Sequence, residues 1–176
     1  MKLALTFVST LNGKITKGDD PDVGKWSSAE DQKHFKEILS EYKVVIRSST
    51  TYEIAKNNLV TDGSKRYIVL TRDPEKYAPE KIDGILEFTN ESPKQLIDRL
   101  ESEGVDKALL AAGGTIVSIF LKDKLITDFQ LTIEPKLFGK GVPLLSESDL
   151  FVDLRLTGHR KLNDQGTLLL EYEVKY

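Results

Sequence analysis

Apolar and polar residues alternate along this chain in two different rhythms. Short apolar runs, typical of buried strands, are separated by stretches whose apolar residues recur at helical spacing. The pattern predicts strands at 1–11, 43–47, 66–71, 84–88, 108–112, 126–134, 151–161 and 167–175, and helices at 27–42, 52–56, 92–103 and 115–121. In 126–134 the apolar residues alternate with polar ones, which predicts a half-buried strand. Strands and helices alternate first, and strands alone follow. This order predicts one α/β domain over 1–176, with a mostly parallel mixed sheet flanked by helices and antiparallel C-terminal strands.

The centre of the pattern is a strand, two glycines and a helix. The apolar run 108–112 is followed by Gly113 and Gly114, and Thr115 then suits a first-turn or capping position before Ile116. Such a junction exposes backbone N–H groups at the positive end of a helix, where a phosphate can bind. The glycines lack Cβ atoms, so a ligand can approach the backbone closely. A tight left-handed turn without a ligand is the alternative interpretation.

The first predicted helix begins with a possible substrate contact. The segment 27–30 (SSAE) fits a capping box, in which a Ser hydroxyl and the later Glu satisfy the helix start. Asp31 follows in the first turn, and Phe35 lies one turn further on the same face. A carboxylate beside an aromatic ring can hold the N–C–N edge of a pterin or aminopyrimidine by paired hydrogen bonds. The alternative is a first-turn Asp above a core Phe.

Polar residues follow four of the predicted strands. In an open α/β sheet, ligands gather outside the carboxyl ends of the strands. The residues at these ends are Asn12-Gly13-Lys14, Ser48 to Thr51, Thr71-Arg72 and Gly113-Gly114-Thr115. The planar fork of Arg72 suits a phosphate monoester, unless it is simply a loop arginine in solvent. The sequence contains no GxGxxG, P-loop or GxSxG motif, so these ends predict a different kind of site for a phosphorylated ligand.

Composition narrows the class of protein. The chain is 39% hydrophobic and 30% charged, which is typical of a globular protein, and its net charge of -3 gives no general attraction to nucleic acid or an anionic membrane. The absence of cysteine excludes disulfides, thiolate metal sites and cysteine nucleophiles, and His34 and His159 show no metal-ligand spacing. We therefore predict no metal. The N-terminus is unlike a signal peptide, and no 18-residue apolar run occurs, so we expect a cytoplasmic protein.

Short motifs spread over nearly the whole chain form an ordered set. They are TLNGKIT after the first strand, Trp26-Ser27-Ser28 with Asp31 and Phe35, Thr51-Tyr52-Glu53, the glycine pair through Leu121, LITDF at 125–129 and IEPKLFGKG at 133–141. Together they resemble the C-terminal reductase domain of RibD-type riboflavin biosynthesis proteins, which has the dihydrofolate reductase-like fold. The Trp26–Asp31–Phe35 spacing is also similar to that of bacterial dihydrofolate reductases.

The resemblance implies an NADPH-dependent reductase that acts on a small pyrimidine or pterin and forms a homodimer. The residues implied to bind the cofactor are Gly13, Lys14, Trp26, Ser27, Thr51, Thr71, Arg72, Gly113, Gly114, Thr115 and Ile116. Thr71 and Arg72 are implied to meet the adenosine 2′-phosphate, which favours NADPH over NADH. Asp31 is the implied catalytic residue and, with Phe35, the implied substrate contact, although a proton can instead come from water.

Three departures from the family pattern leave the substrate open. Ser48-Ser49 stands where the family has Gly-Arg, Ala112 stands where it has Glu, and the arginine late in the first helix is replaced near Leu39. The leading hypothesis is reduction of a ribosylaminopyrimidine phosphate to its ribitylamino product. The alternatives are a dihydrofolate or other pterin or pyrimidine reductase, and a nucleotide-binding relative without catalysis.

Overall fold

A computed structural model describes all residues, 1–176. Its eight strands are β1 (Lys2–Thr10), β2 (Val44–Ser48), β3 (Arg66–Leu70), β4 (Leu86–Thr89), β5 (Lys107–Ala111), β6 (Asp128–Glu134), β7 (Asp153–Lys161) and β8 (Leu168–Lys175). Its four α-helices are α1 (Ala29–Glu41), α2 (Ser49–Ala55), α3 (Pro93–Ser102) and α4 (Gly114–Lys122). Three short 3-10 helices lie at Val23–Lys25, Lys56–Asn58 and Glu75–Glu80. None of these helices is long and apolar enough to cross a membrane.

All eight strands form one sheet in the order β4-β3-β2-β5-β1-β6-β8-β7. The first six strands of the chain are parallel, whereas β8 pairs antiparallel with both β6 and β7. The predicted α/β architecture, with a parallel centre and antiparallel C-terminal strands, is therefore confirmed. Because the six parallel strands run the same way, their carboxyl ends meet at one edge of the sheet.

Helices cover both faces of the sheet. On one face, α3 and α4 bury Leu100 and Phe120 against strand residues such as Leu5. On the other, Ile38 of α1 packs on Ala4, in a cluster that Phe35 also contacts. The apolar stripe of each helix, read at helical spacing, is the part that is buried.

Serine caps account for the observed helix starts. Ser48 accepts a hydrogen bond from the Thr51 N–H, so α2 begins at Ser49, three residues earlier than the sequence predicts. Ser92 forms a capping box with Gln95 at the start of α3. The capping box predicted over 27–30 is wrong, because Ser28 is the N-cap of α1 and its reciprocal acceptor comes from another strand.

The half-buried pattern predicted for β6 fails at the carboxyl end of the strand. Thr132 and Glu134 are only 2% and 1% exposed. Their side of the strand lies in register with the α1 face of β1, since Val8 pairs with Thr132 and Thr10 with Glu134. The start of α1 covers this side, so the polar residues of β6 are enclosed between the helix and the sheet.

Candidate functional site

Two loops meet at the start of α4, at the carboxyl edge of the sheet. The N–H of Leu144 donates to the carbonyl oxygen of Gly13 at 2.9 Å, and Lys14 forms an isolated β-bridge with Pro143. The carbonyl of Leu144 then packs directly against the Cα of Gly114. The structure therefore brings Gly13, Lys14 and the glycine pair together through the segment 143–144.

The two glycines have different surroundings. Gly113 is the N-cap of α4 in an extended conformation (φ −72°, ψ 165°), and neither glycine has a positive φ, so the left-handed turn does not form. A Cβ on Gly113 would meet open space, whereas one on Gly114 would lie 2.6 Å from the carbonyl oxygen of Leu144. The lack of a Cβ thus leaves room for a ligand at Gly113 only. At Gly114 the space is occupied by the backbone carbonyl of Leu144.

No side chain caps the first turn of α4. Thr115 is exposed in that turn rather than acting as the cap, and Ile116 follows it half-buried. The first amides of a helix have no partner within the helix, and at α1, α2 and α3 a serine satisfies one of them. At α4 they remain available to an anion beside Gly113.

Two buried polar atoms without partners precede α1. Trp26 is 6% exposed and packs edge-on against Phe138, with 5.3 Å between ring centroids. Neither its Nε1 nor the Oγ of Ser27 has a hydrogen-bond partner. A buried unsatisfied group costs roughly 1–3 kcal/mol, so these atoms indicate a place that a ligand or water completes.

Glu134, at the end of β6, holds the start of α1. Its Oε1 accepts the Ser28 N–H at 2.6 Å, and its Oε2 accepts the Thr167 hydroxyl at 2.9 Å. Burial opposes ionisation of Glu134, but the donors from Ser28 and Thr167 outweigh it and hold the pKa of this carboxyl below its ordinary value. Glu134 therefore takes the role that Glu30 was predicted to have in the capping box.

Asp31 is a second buried carboxylate, and its pKa is shifted in the opposite direction from that of Glu134. It is 6% exposed, and burial raises its pKa above the ordinary value, although the nearby hydroxyl of Thr132 acts against the shift. The neighbouring charge of Glu134 raises the pKa further. Two nearby carboxylates with pKa values pushed apart are an arrangement that enzymes use to separate a proton carrier from a permanent anion.

Phe35 lies half-buried one turn after Asp31 and packs against the apolar clusters under α1. It belongs to the core and also borders the Asp31 end of the helix. The predicted pair is thus present on one face of α1.

The remaining predicted contacts lie along the same edge on the β2 and β3 side. The hydroxyl of Thr51 is 3.0 Å from the cap oxygen of Ser48, and Thr71 donates its N–H to Thr89 at the end of β4. Arg72 is exposed and follows Thr71 directly. No contact joins Arg72 to the glycine pair, because β2 lies between β3 and β5.

Sequence reasoning missed several polar residues beneath α1. Thr132, Glu134 and Thr167 are buried, and so is Arg47 of β2, which is 5% exposed. The signal available for Arg47 was its place at the end of an apolar run, two residues after the inward-facing Val45. The others occupy strand positions where alternation alone predicts solvent.

The family is decided by comparison with known sequences. The model of the RibD C-terminal domain matches residues 13–168. The chain belongs to the RibD C-terminal domain family. Among curated proteins it is similar to YwjB of Bacillus subtilis (strain 168), described as uncharacterized, with 28% identity over 163 residues that cover 91% of each chain.

Solved structures support the same fold. A pyrimidine reductase-like protein from Corynebacterium diphtheriae superposes with a TM-score of 0.79 at 13% identity, covering 99% of this chain and 92% of that one. The riboflavin biosynthesis reductase Rib7 of Saccharomyces cerevisiae superposes with a TM-score of 0.71 at 12% identity, covering 99% and 90%. These likenesses establish the RibD-type architecture for this chain.

Proposed function

We propose that this RibD-family protein is an NADPH-dependent reductase of a small nitrogen heterocycle, with a ribosylaminopyrimidine phosphate as the leading substrate. One observation carries the proposal. The uncapped start of α4, with open space at Gly113, lies on the same sheet edge as the buried, unpartnered Nε1 of Trp26 and Oγ of Ser27. The first feature suits a bridging phosphate, and the others suit the polar edge of a ring.

The residues present fit a phosphorylated dinucleotide. In this proposal the amides of Gly113, Gly114, Thr115 and Ile116 receive the pyrophosphate, with Thr51 on its other side. Gly13, Lys14, Trp26 and Ser27 border the nicotinamide, and Thr71 and Arg72 receive the 2′-phosphate. When bound, NADPH supplies the hydride, while the protein supplies orientation and exclusion of water.

Asp31 is the residue proposed to act on the substrate. Burial raises the pKa of the Asp31 carboxyl and so favours its protonated form, and this carboxyl can hydrogen-bond the N–C–N edge of a pyrimidine. The ionised Glu134 fixes the start of α1 and thereby keeps Asp31 in place at that edge.

The cofactor half is tested by binding. Because Trp26 is the only tryptophan, NADPH should quench its fluorescence saturably, and titration calorimetry should give the same affinity. Arg72→Ala should weaken NADPH binding about tenfold and leave NADH binding unchanged, since only NADPH carries the 2′-phosphate. Arg155→Ala, on β7, serves as the matched control. Absence of both a saturable fluorescence change and heat of binding in the natural protein would contradict the proposal.

Turnover separates the leading substrate from the alternatives. The buried Asp31 with Phe35 one turn away favours a second candidate, a dihydrofolate or other pterin reductase. Loss of the nicotinamide absorbance with the pyrimidine phosphate alone supports the first, and loss with a pterin alone supports the second. Ala112 and Ser48-Ser49 motivate a relative that binds nucleotides without catalysis, which predicts NADPH binding and no consumption with either substrate.

A further inference from the structure

Arg47 is a buried cation without an anionic partner. It is 5% exposed on β2, its Nε is enclosed with no hydrogen-bond partner, and no ion pair includes it. Its guanidinium carbon lies 5.4 Å from the centroid of the Tyr67 ring. Burial lowers the pKa of Arg47, and the only group that opposes the shift is Tyr67. Buried arginines normally pair with carboxylates, because an unpaired charge away from water is costly.

Arg47 and Asp31 lie on the same face of the sheet, the face that α1 covers. Arg47 pairs with Ala111 across the sheet, and it follows Val45 at the strand period of two, so it lies on the face that α1 covers. Asp31 lies on the same face near Thr132 of β6. In the order β2-β5-β1-β6 the strands of Arg47 and Thr132 are three spacings apart, about 14 Å at the usual separation of strands.

Arg47 is surrounded by small and apolar side chains rather than by an anionic partner. Between the strands of Arg47 and Thr132 the sheet presents the small side chains of Ala111 and Thr6 on this face. Tyr67 belongs to an apolar cluster that Phe35 and Leu39 of α1 also contact. A cation–π contact offsets only part of what an unpaired buried charge costs, so Tyr67 alone does not explain the burial of the arginine.

We propose that Arg47 is a specificity-determining residue that binds an oxyanion of the substrate, a phosphate monoester or a carboxylate, at the far end from Asp31. This inference rests on the proposed reductase function, because that function places the heterocycle at Asp31. A ring held at Asp31 with a substituent of several atoms spans the distance to the reach of a long arginine side chain. Arg47 thus selects anionic substrates over their neutral counterparts.

The first test uses the anion alone and needs no cofactor. Inorganic phosphate and acetate are titrated separately into the protein while the side-chain Nε–H signal of Arg47 is followed by NMR, with Arg47→Met used to assign the signal. We expect one anion to move this signal saturably and to raise the melting temperature. A response to phosphate indicates a phosphate monoester, and a response to acetate indicates a carboxylate. No response to either anion overturns the proposal.

Variants separate binding from a structural role. In buffer without phosphate or carboxylate, Arg47→Met should melt at a higher temperature than the natural protein and lose the stabilisation by the anion, since it removes an unpaired buried charge at similar volume. Arg47→Lys should keep part of the anion response, and the exposed Arg155→Met should keep all of it. A lower melting temperature for Arg47→Met with no anion effect on the natural protein assigns Arg47 to the fold and overturns the proposal. If Arg47→Met fails to fold, Arg47→Lys assigns the signal and the NMR titration of the natural protein decides.

The outcome is distinguishable from failure of the reductase proposal. Arg47→Met should bind NADPH as the natural protein does, measured by titration calorimetry. With a phosphorylated substrate its kcat/KM should fall roughly 30-fold or more, and the preference over the dephosphorylated analogue should disappear. If the natural protein does not bind NADPH, the reductase function is contradicted. The anion titration still tests the role of Arg47, because it needs no cofactor.

Discussion

Two buried carboxylates at the start of α1 show how environment divides roles between similar residues. Glu134 receives donors from Ser28 and Thr167, so its charged form is favoured. Asp31 has fewer compensating donors and a negative neighbour, so its charged form is disfavoured. Sequence reasoning found Asp31, because a first-turn Asp before an aromatic is a local pattern. It missed Glu134, because its partners lie more than thirty residues away along the chain.

Substituting these carboxylates should change stability in opposite directions. The folded-state pKa of Asp31 lies above its unfolded value, so its charge costs stability at neutral pH and the cost vanishes as the pH falls. Asp31→Asn should therefore raise the free energy of unfolding by about 1 kcal/mol at pH 7, a gain that fades in acid, while turnover drops. Glu134 has a depressed pKa, so Glu134→Gln should cost about 2 kcal/mol at neutral pH, and this loss should shrink as the pH falls through the folded-state pKa.

Urea denaturation at a series of pH values measures both effects. Glu37→Gln, an exposed substitution on the same helix, is the control and should change little at any pH. A stability loss for Asp31→Asn at neutral pH would show that the charge of Asp31 is favoured in the fold and would contradict the pKa shift attributed to its burial.

Element starts show where local sequence is sufficient and where it is not. Of the serines that cap α1, α2 and α3, only Ser92 lies at the helix start that the sequence predicts, because Ser48 caps α2 earlier than predicted and the cap of α1 uses Glu134 from β6. The glycine pair was identified as a strand-to-helix junction, but the sequence did not distinguish the two glycines. Their difference arises from the loop 143–144, which lies some thirty residues further along the chain and packs against Gly114 alone.

Alanine at each glycine should separate ligand access from packing. Gly113→Ala places a Cβ in open space at an allowed backbone conformation, so the free energy of unfolding should change by less than about 0.5 kcal/mol while NADPH binds at least tenfold more weakly. Gly114→Ala drives a Cβ into the Leu144 carbonyl and should cost about 1–3 kcal/mol. Thermal unfolding and NADPH titration of both variants are the measurements. Equal stability losses would contradict the distinction, and unchanged NADPH affinity in Gly113→Ala would contradict a phosphate at this turn.

At the scale of the molecule, the order of helices and strands could be predicted from the sequence, but which polar residues are buried could not. Alternating apolar runs and amphipathic helices specify parallel strands, because each crossover helix must cover a sheet face. The final strands have no helix between them, so they pair antiparallel, as predicted. Which polar residues become buried depends on where α1 crosses the sheet. The local sequence does not specify where α1 crosses the sheet, so the burial of Thr132 could not be predicted, whereas the place of Arg47 at the end of an apolar run was a signal that sequence reasoning did not use.

The outermost strand of the sheet, β7, carries exposed apolar residues, and we expect the interface of the predicted homodimer there. Phe151 is 95% exposed, and Leu154 and Leu156 of β7 are 42% and 51% exposed on one side of the strand. Beside them lies an apolar cavity of ≈ 250 Å³ lined by Phe151, Leu154 and core residues such as Leu5. Exposed apolar surface of this kind on an edge strand favours association.

We expect the protein to be a dimer in solution by light scattering, with β7 at the interface. Leu156→Glu should raise the dimer dissociation constant at least about tenfold, because each copy would place a carboxylate in an apolar contact that the two-fold symmetry repeats. Ile82→Glu, which changes an exposed apolar residue near β4 at the opposite edge of the sheet, should leave the dimer intact. A monomeric natural protein would remove the homodimer altogether. A dimer insensitive to Leu156→Glu but broken by Ile82→Glu would move the interface to the β4 edge, next to Arg72, where assembly would restrict access to the proposed 2′-phosphate contact.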